Sequence, residues 1–328
     1  MKLATVGTSE ITNTFLSALK QDGTFTYEAA YSRSIDKART VAASFGAARA
    51  YDSFETLAEN QDIDVVYVAS PNGLHFQHVS ALLRAGKHVI CEKPMFTTLK
   101  EFDTAFKIAD EQGVYLFEAI RNIQTPVFRA LQARLERAGT VRSAVFQLIQ
   151  YSSRYDRFLK GELTNIFSPE FAGGALEDLG VYTLYPIIAL FGRPKHAAYY
   201  PVMLSSGVDG SGTLVLTYNG FVCTLLCSKI AHSSAPSEIH GERGTWRINN
   251  PSNIHQLEWI DAHTKDVSLV ASCPDSGDMI YEIARFGQII GSGDQPAFQE
   301  LRALGRDVLA TMESVRLACG IRFPSDDR

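Results

Sequence analysis

No stretch of this sequence gathers basic residues, and no pair of cysteines has the spacing of a metal site. Lys and Arg number 31 against 36 Asp and Glu, a formal charge of −5. Mild acidity without a basic patch gives no indication of a nucleic-acid partner. The five cysteines (Cys91, Cys223, Cys227, Cys273 and Cys319) are odd in number and scattered. Cys223 and Cys227 lie four apart in an apolar run, not at zinc-ligand spacing, so no metal is expected. Free thiols in a reducing cytoplasm are the simpler reading. Long apolar runs are missing as well. The longest nearly uncharged one, residues 184–191, falls short of the ~20 residues that span a bilayer, so no membrane partner is expected. The opening residues lack the longer apolar region and small-residue cleavage site of a secretory signal, and the protein is expected to be cytoplasmic. There is no internal repeat and no low-complexity linker.

What is present is ordinary globular material. The 328 residues are 45% apolar and 20% charged, and that length suggests two domains. Up to about residue 117, β-rich runs at 3–6, 27–31, 64–69, 88–91 and 114–117 alternate with helical stretches at 11–19, 37–45, 75–85 and 99–112. This alternation predicts right-handed βαβ units and an α/β, doubly wound parallel sheet. After residue 122 the rhythm changes. Helices at 126–138 and 174–191 are followed by strand-like runs at 197–204, 212–218, 221–230, 237–240, 245–248, 256–260 and 266–270, with turn residues such as Asp209-Gly210 and Asn219-Gly220 between them. A long strand at 141–151 and a closing helix at 298–319 complete the pattern. Consecutive strands with tight turns predict an α+β domain with a large, mostly antiparallel sheet. The expected domains are 1–121 and 122–328.

Five motifs are able to carry chemistry. Gly7-Thr8-Ser9-Glu10-Ile11-Thr12 follows the first strand. Glycine at its first position suits the bend of a dinucleotide turn, and Ser9 permits close approach of a pyrophosphate at the helix N-terminus. A Gly turn between strand and helix is also a common connection. At the end of the second strand, Ser32 and Arg33 stand where an NAD site offers Asp or Glu. A hydroxyl and a guanidinium suit a 2′-phosphate, with Lys37 one helical turn on. A solvated arginine is the competing reading. Ala69-Ser70-Pro71-Asn72-Gly73-Leu74-His75 links a strand to a helix at the ligand-binding edge of such a sheet. His75 there packs on a cofactor or caps the turn. Glu92-Lys93-Pro94 puts two charges directly after a buried strand at the same edge. Last, Asp178 and Tyr182 are four apart in a helix that opens with Gly173-Gly174, so both project from one face. A phenol near a carboxylate and a lysine is a candidate proton donor, and a Tyr with a buried partner is the alternative.

In combination these motifs resemble the glucose–fructose oxidoreductase / inositol dehydrogenase / rhizopine catabolism (Gfo/Idh/MocA) family over essentially the whole chain. Glu92-Lys93-Pro94, Ser70-Pro71-Asn72 with His75, and the run from Gly173 to Tyr182 match its signatures in order. The first turn departs from the family, with Ser9 and Thr12 in place of Gly and Gly/Ala. Tyr182 stands where the inositol dehydrogenase branch has histidine, and resembles the branch of dimeric dihydrodiol dehydrogenase and NADP-dependent xylose dehydrogenase. Glu118-Ala119 with Arg121 is similar to that branch's strand beside the nicotinamide. The resemblance implies a Rossmann domain binding NADP (NAD being possible), and a second domain whose open sheet forms a homodimer or homotetramer. It implies hydride transfer between the nicotinamide and a hydroxyl or carbonyl carbon of a sugar, polyol or cyclic diol. Lys93 would supply positive charge, Tyr182 would exchange the proton, and Asp178 would orient the substrate or the lysine. Gln150, Tyr151, Arg154, Tyr155 and Arg157 are polar or aromatic candidates for substrate contact, Tyr151 and Arg157 foremost; solvated loop residues or dimer contacts are the alternative for each. The rival reading is a non-catalytic NADP-binding sensor that kept the fold.

Overall fold

The computed structural model describes residues 1–275 and 277–327, and the chain divides into two compact units. The first comprises Met1–Ala119 with Gly277–Ala303, the second Ile120–Ser276 with Leu304–Arg328.

In the first unit the chain runs β1 (Lys2–Val6), α1 (Glu10–Asp22), β2 (Thr26–Tyr31), α2 (Ile35–Phe45), β3 (Arg49–Tyr51), α3 (Phe54–Glu59), β4 (Val65–Val68), α4 (His75–Arg84), β5 (His88–Glu92), α5 (Leu99–Gln112) and β6 (Leu116–Ala119). Every strand pair is parallel, in the order β3-β2-β1-β4-β5-β6. The order reverses beside β1, and ligands of open α/β sheets bind at the carboxyl ends of strands at such a switch point. All four residues of β4 are fully buried, as a central parallel strand covered on both faces requires. β3 and α3 are additional to the expected elements; three half-buried residues are too short a run to show a period. β6 starts two residues later than expected. The Val114 N–H is taken by Ala109 O (3.0 Å) in the exit from α5, so Glu118 and Ala119 fall inside the strand.

The second unit contains α6 (Pro126–Gln132), β7 (Val141–Ile149), α7 (Tyr155–Leu159), α8 (Val181–Phe191), β8 (His196–Met203), β9 (Asp209–Thr217), β10 (Val222–Ser228), β11 (Ser237–Gly241), β12 (Gly244–Ile248), β13 (Gln256–Asp261) and β14 (Val267–Ser272). Its strands form one sheet in the order β14-β13-β12-β11-β7-β10-β9-β8. Pairing is antiparallel except between β7 and β10, which are separated in sequence by α7, α8 and a hairpin. One face alternates into a core that includes Phe146, Leu214, Leu225, Trp246 and most of α8. The segment Pro169–Phe191 is long and apolar enough by composition to cross a membrane, but 72% of its most apolar 18 residues are buried within the structure. That is the behaviour of a core helix.

Two expectations need correction. Asp209-Gly210 is not a hairpin turn: the turn is residues 204–208, closed by Leu204 N–H to Val208 O (2.8 Å), and Asp209 opens β9. Nor does the second unit hold everything after residue 121. The first unit takes back α9 (Met279–Ser292) and the start of α10 (Gln295–Ala318). Phe286 of α9 stacks on Phe117 of β6 (ring centroids 4.5 Å), and Phe298 of α10 meets the same ring edge-on at 5.5 Å. The apolar face of the edge strand is thereby covered.

Candidate active site

On the first unit, β1 ends in Gly7 with φ +117°, and a Cβ there would lie 2.6 Å from Ala69 O. Only glycine allows the two strand ends to approach this closely. Thr8 is half-buried. Ser9 starts α1 but its side chain makes no capping hydrogen bond, leaving the exposed hydroxyl at the helix N-terminus with Glu10 in the first turn. Thr12 is fully buried where a third glycine would sit, packing helix against sheet, and Ile11 is half-buried beside it. At the end of β2, Arg33 and Lys37 are exposed, and Ser32 Oγ accepts from Ser34 N–H (3.3 Å).

The loops after β4 and β5 are tied together by His75. Its ring is buried, with Nε2 2.7 Å from Ser70 O and Nδ1 3.0 Å from Pro94 O. Burial lowers its pKa, against the raising effect of the carbonyls, and Lys93 lowers it further. A neutral imidazole has one N–H for these two acceptors. His75 therefore acts on the loops, not as an exposed surface for a ligand. His78 Nδ1 contacts Ser70 Oγ at 3.0 Å. Pro71 and the turn Asn72–Leu74 remain half-buried at this edge, as does Ala69. Glu92 is buried, accepting the Tyr67 hydroxyl at 2.5 Å on Oε1 and the Lys93 N–H at 3.3 Å on Oε2. Glu118 Oε1 accepts Met95 N–H (3.0 Å). Both carboxylates thus brace the loop that carries Lys93, which is half-buried.

On the second unit, Asp178 lies in a π-helical turn, Leu176–Gly180, running directly into α8, on which Tyr182 is the second residue. The turn's start is held by Asp209, which accepts Leu176 N–H (2.7 Å) and Tyr199 O–H (2.5 Å) on Oδ2. Burial raises the Asp209 pKa. A Cβ on Gly174, where φ is +123°, would collide with Asp209 Oδ1, and one on Gly173 would lie 2.6 Å from Ile166 O. That is the local reason for the Gly-Gly pair. Glu177 faces the buried Arg316 (Oε1–Nε 3.6 Å), whose guanidinium is also held by Asp326 at 2.7 Å.

The sequence reading missed two residues beside this pair. Lys229, just past β10 and buried, forms an ion pair with Asp178. Asn122, also buried, donates from Nδ2 to Tyr182 O (2.9 Å) and Pro251 O (2.6 Å). The need for such a donor was legible, though not which residue supplies it. Pro186 stands inside α8 four residues after Tyr182 and has no N–H to give its carbonyl. Arg121 belongs to this unit, with its guanidinium carbon 6.0 Å from the centre of the Tyr182 ring and Nε donating to Ser252 O (3.3 Å). Tyr151 is exposed, its hydroxyl donating to Asp156 (2.7 Å), and Arg157 is paired with Glu162. The loop carrying Tyr151 is anchored by Gln150 N–H to Ser228 O and Ser152 N–H to Lys229 O, both 2.9 Å.

Comparison with known proteins agrees with this arrangement. The sequence profile described as "Oxidoreductase family, NAD-binding Rossmann fold" matches residues 1–120, and the GFO/IDH/MocA C-terminal domain matches residues 128–247. The chain belongs to the Gfo/Idh/MocA family of oxidoreductases. It is 38% identical to scyllo-inositol 2-dehydrogenase (NADP(+)) IolU of Bacillus subtilis (strain 168), over 99% of each chain. With trans-1,2-dihydrobenzene-1,2-diol dehydrogenase of Macaca fascicularis it shares 28%, over 90% of this chain and 89% of that one. Among solved structures, a 3-ketoreductase from Actinomadura kijaniata in complex with NADP superimposes with a TM-score of 0.81 at 22% identity, covering 97% of each chain. This Gfo/Idh/MocA oxidoreductase therefore has the expected fold. Tyr182 suggests the dihydrodiol branch, whereas the higher of these two identities is to the inositol dehydrogenase.

Proposed function

We propose that this oxidoreductase is an NADP-dependent dehydrogenase acting on a CH–OH carbon of a cyclic polyol or a related sugar or diol. The observation that carries the reading is the Asp178–Lys229 ion pair four residues before Tyr182. It holds a carboxylate for substrate hydroxyls next to a phenol able to exchange a proton. The likeness to a scyllo-inositol dehydrogenase supports the substrate class. The turn at Gly7 fits a dinucleotide, because its glycine lets the end of β1 pass close against Ala69 and lead directly into α1, whose N-terminus suits a pyrophosphate. Arg33 and Lys37, exposed after β2, fit a 2′-phosphate better than a free ribose hydroxyl.

When bound, NADP supplies or accepts the hydride. The chain's own part is electrostatic and protonic. Tyr182 exchanges the proton of the reacting oxygen, Asp178 accepts a hydrogen bond from the substrate, and Lys93 places positive charge where oxygen charge develops. Lys93 is aimed by a loop braced from three sides, by His75, Glu92 and Glu118. The five free thiols support a reducing, cytoplasmic location.

The outer face of the eight-stranded sheet supports a homodimer. Ala198, Val215, Thr224 and Val145 line up across β8, β9, β10 and β7 as one small or β-branched row. The row continues through Glu238, Arg247 and Glu258. A steady-state screen of cyclic polyols, sugars and dihydrodiols with NADP and NAD tests the activity. Turnover with NADP on a cyclic polyol is expected. Tight NADP binding without turnover on any of them would replace this reading with a sensor.

A further inference from the structure

Lys229 is the candidate that goes furthest. Its main chain is fixed on both sides, with N–H to Gly210 O at 2.8 Å and O accepting Ser152 N–H at 2.9 Å. Its side chain is 5% exposed, whereas that of its partner Asp178 is 30% exposed. The ammonium therefore lies behind the carboxylate, on the protein side, and the carboxylate faces outward. A cation buried this deeply needs its counter-charge, so the two side chains hold each other in one geometry. The neighbouring titratable groups are already committed. Glu177 faces Arg316, and Asp209 is bonded to Tyr199 and the Leu176 N–H. Cys227, on the same strand as Lys229, has its thiol pushed up by burial. Tyr182 lies four residues on in the helix and has its carbonyl held by Asn122.

We propose that Lys229 is a positioning residue for the reaction, keeping Asp178 ionised and aimed so that its outer oxygen accepts a hydrogen bond from a substrate hydroxyl. This rests on the functional reading above and adds to it a second lysine, supplied by the sheet unit, that acts only through Asp178. The pair has no net charge, which suits a neutral polyhydroxylated substrate over a cationic one.

The test compares Lys229→Met, Lys229→Arg, Asp178→Asn and the double variant Asp178→Asn/Lys229→Met, with scyllo-inositol or whichever cyclic polyol the wild type oxidises. Losing the alignment lowers kcat in Lys229→Met by roughly 10- to 100-fold. The acid limb of the kcat/KM profile moves up by about one pH unit or more as Asp178 loses its cation. Lys229→Arg keeps the limb where it is, and NADP affinity is unchanged throughout. On the Asp178→Asn background, Lys229→Met costs less than about twofold, as expected of two residues acting as a unit. Lys229→Met retaining the wild-type kcat and pH profile overturns the inference; so does an undiminished loss on the Asp178→Asn background. If Lys229→Met leaves the Asp178 carboxylate without its counter-charge and does not fold, the double variant removes both charges, and its comparison with Asp178→Asn alone still decides. Absence of turnover in the wild type appears before any variant is compared, and overturns the functional reading itself.

Discussion

Tyr182 is almost completely enclosed, with its carbonyl held by Asn122 and a guanidinium near its ring, so a substitution confined to its hydroxyl is the one that tests its chemistry while keeping these contacts. Tyr182→Phe keeps the ring, its packing and the carbonyl contact. As the loss of a general acid–base group it should lower kcat by roughly 10²–10⁴-fold. The melting temperature should stay close to wild type, and kcat within tenfold of wild type would remove Tyr182 from the proton path. Arg33 is a case of the opposite kind, with an exposed side chain. Arg33→Asp replaces a partner for a 2′-phosphate with a partner for a ribose hydroxyl. It should raise the KM for NADP by about tenfold or more while lowering that for NAD, with stability unchanged. An unchanged ratio of the two KM values would count against the 2′-phosphate assignment.

At the scale of elements, α8 shows how a helix break is used. Pro186 withholds the N–H that Tyr182 O would receive, and the Asn122 amide supplies it from outside the helix. Asn122→Leu should therefore lower both stability and kcat, leaving a buried carbonyl without its donor at a cost of about 1–3 kcal/mol. Pro186→Ala restores an intrahelical donor, and the double variant should recover part of both losses. Thermal melts and kcat across the four proteins check this, and strictly additive effects would show that the two residues are not coupled. The Gly-Gly pair, Asp178 and Tyr182 were legible in the sequence because each repeats a local pattern: a close approach, then helical spacing. Lys229, Asn122 and Asp209 were not singled out because their roles depend on contacts 51, 60 and 33 residues away. Asp209-Gly210 even carries a turn signal, which the demands of the helix start override. The parallel sheet was legible from its alternation, since every helix between its strands except α3, which crosses from β3 to β4, returns the chain to a neighbouring strand. The return of α9 to the first unit was not, although its apolar residues Met279, Ile283, Phe286 and Ile289 recur at helical spacing, because nothing local says which sheet they cover.

At the scale of the whole molecule, pH and self-association make separate predictions. In the first unit burial lowers the pKa values of His75, His78 and His88, that of His78 to about 4, and the His88 ring accepts the Tyr115 N–H as a neutral base (3.0 Å). The unfolded chain binds protons at these sites near the ordinary histidine pKa of about 6.5, whereas the folded chain does not. Their contribution is therefore complete above that pH and is lost as pH falls toward the folded values. The melting temperature should drop between pH 7 and pH 5, less steeply in His78→Gln, and a flat profile would show that the rings charge freely. Self-association depends instead on the outer face of the sheet, where strand register decides what is presented. Val145 and Thr224 are opposite each other on β7 and β10, flanked by Val215, while Tyr200, Val202 and Val222 are 64, 55 and 40% exposed. A stable dimer buries about 1,600 Å² of surface, and the exposed face of an eight-stranded sheet, apolar over β7–β10 and charged through Glu238, Arg247 and Glu258, is suited to supply it. Val145→Arg places a charge at the middle of that row, where a facing copy would have to desolvate it, while solvent accommodates it readily in a monomer. Light scattering after size exclusion should give twice the chain mass for the wild type and a single chain mass for Val145→Arg, with the melting temperature of each fold little changed. A wild type that runs as one chain at micromolar concentration, or a variant that stays paired, would mean that this face is not where copies meet.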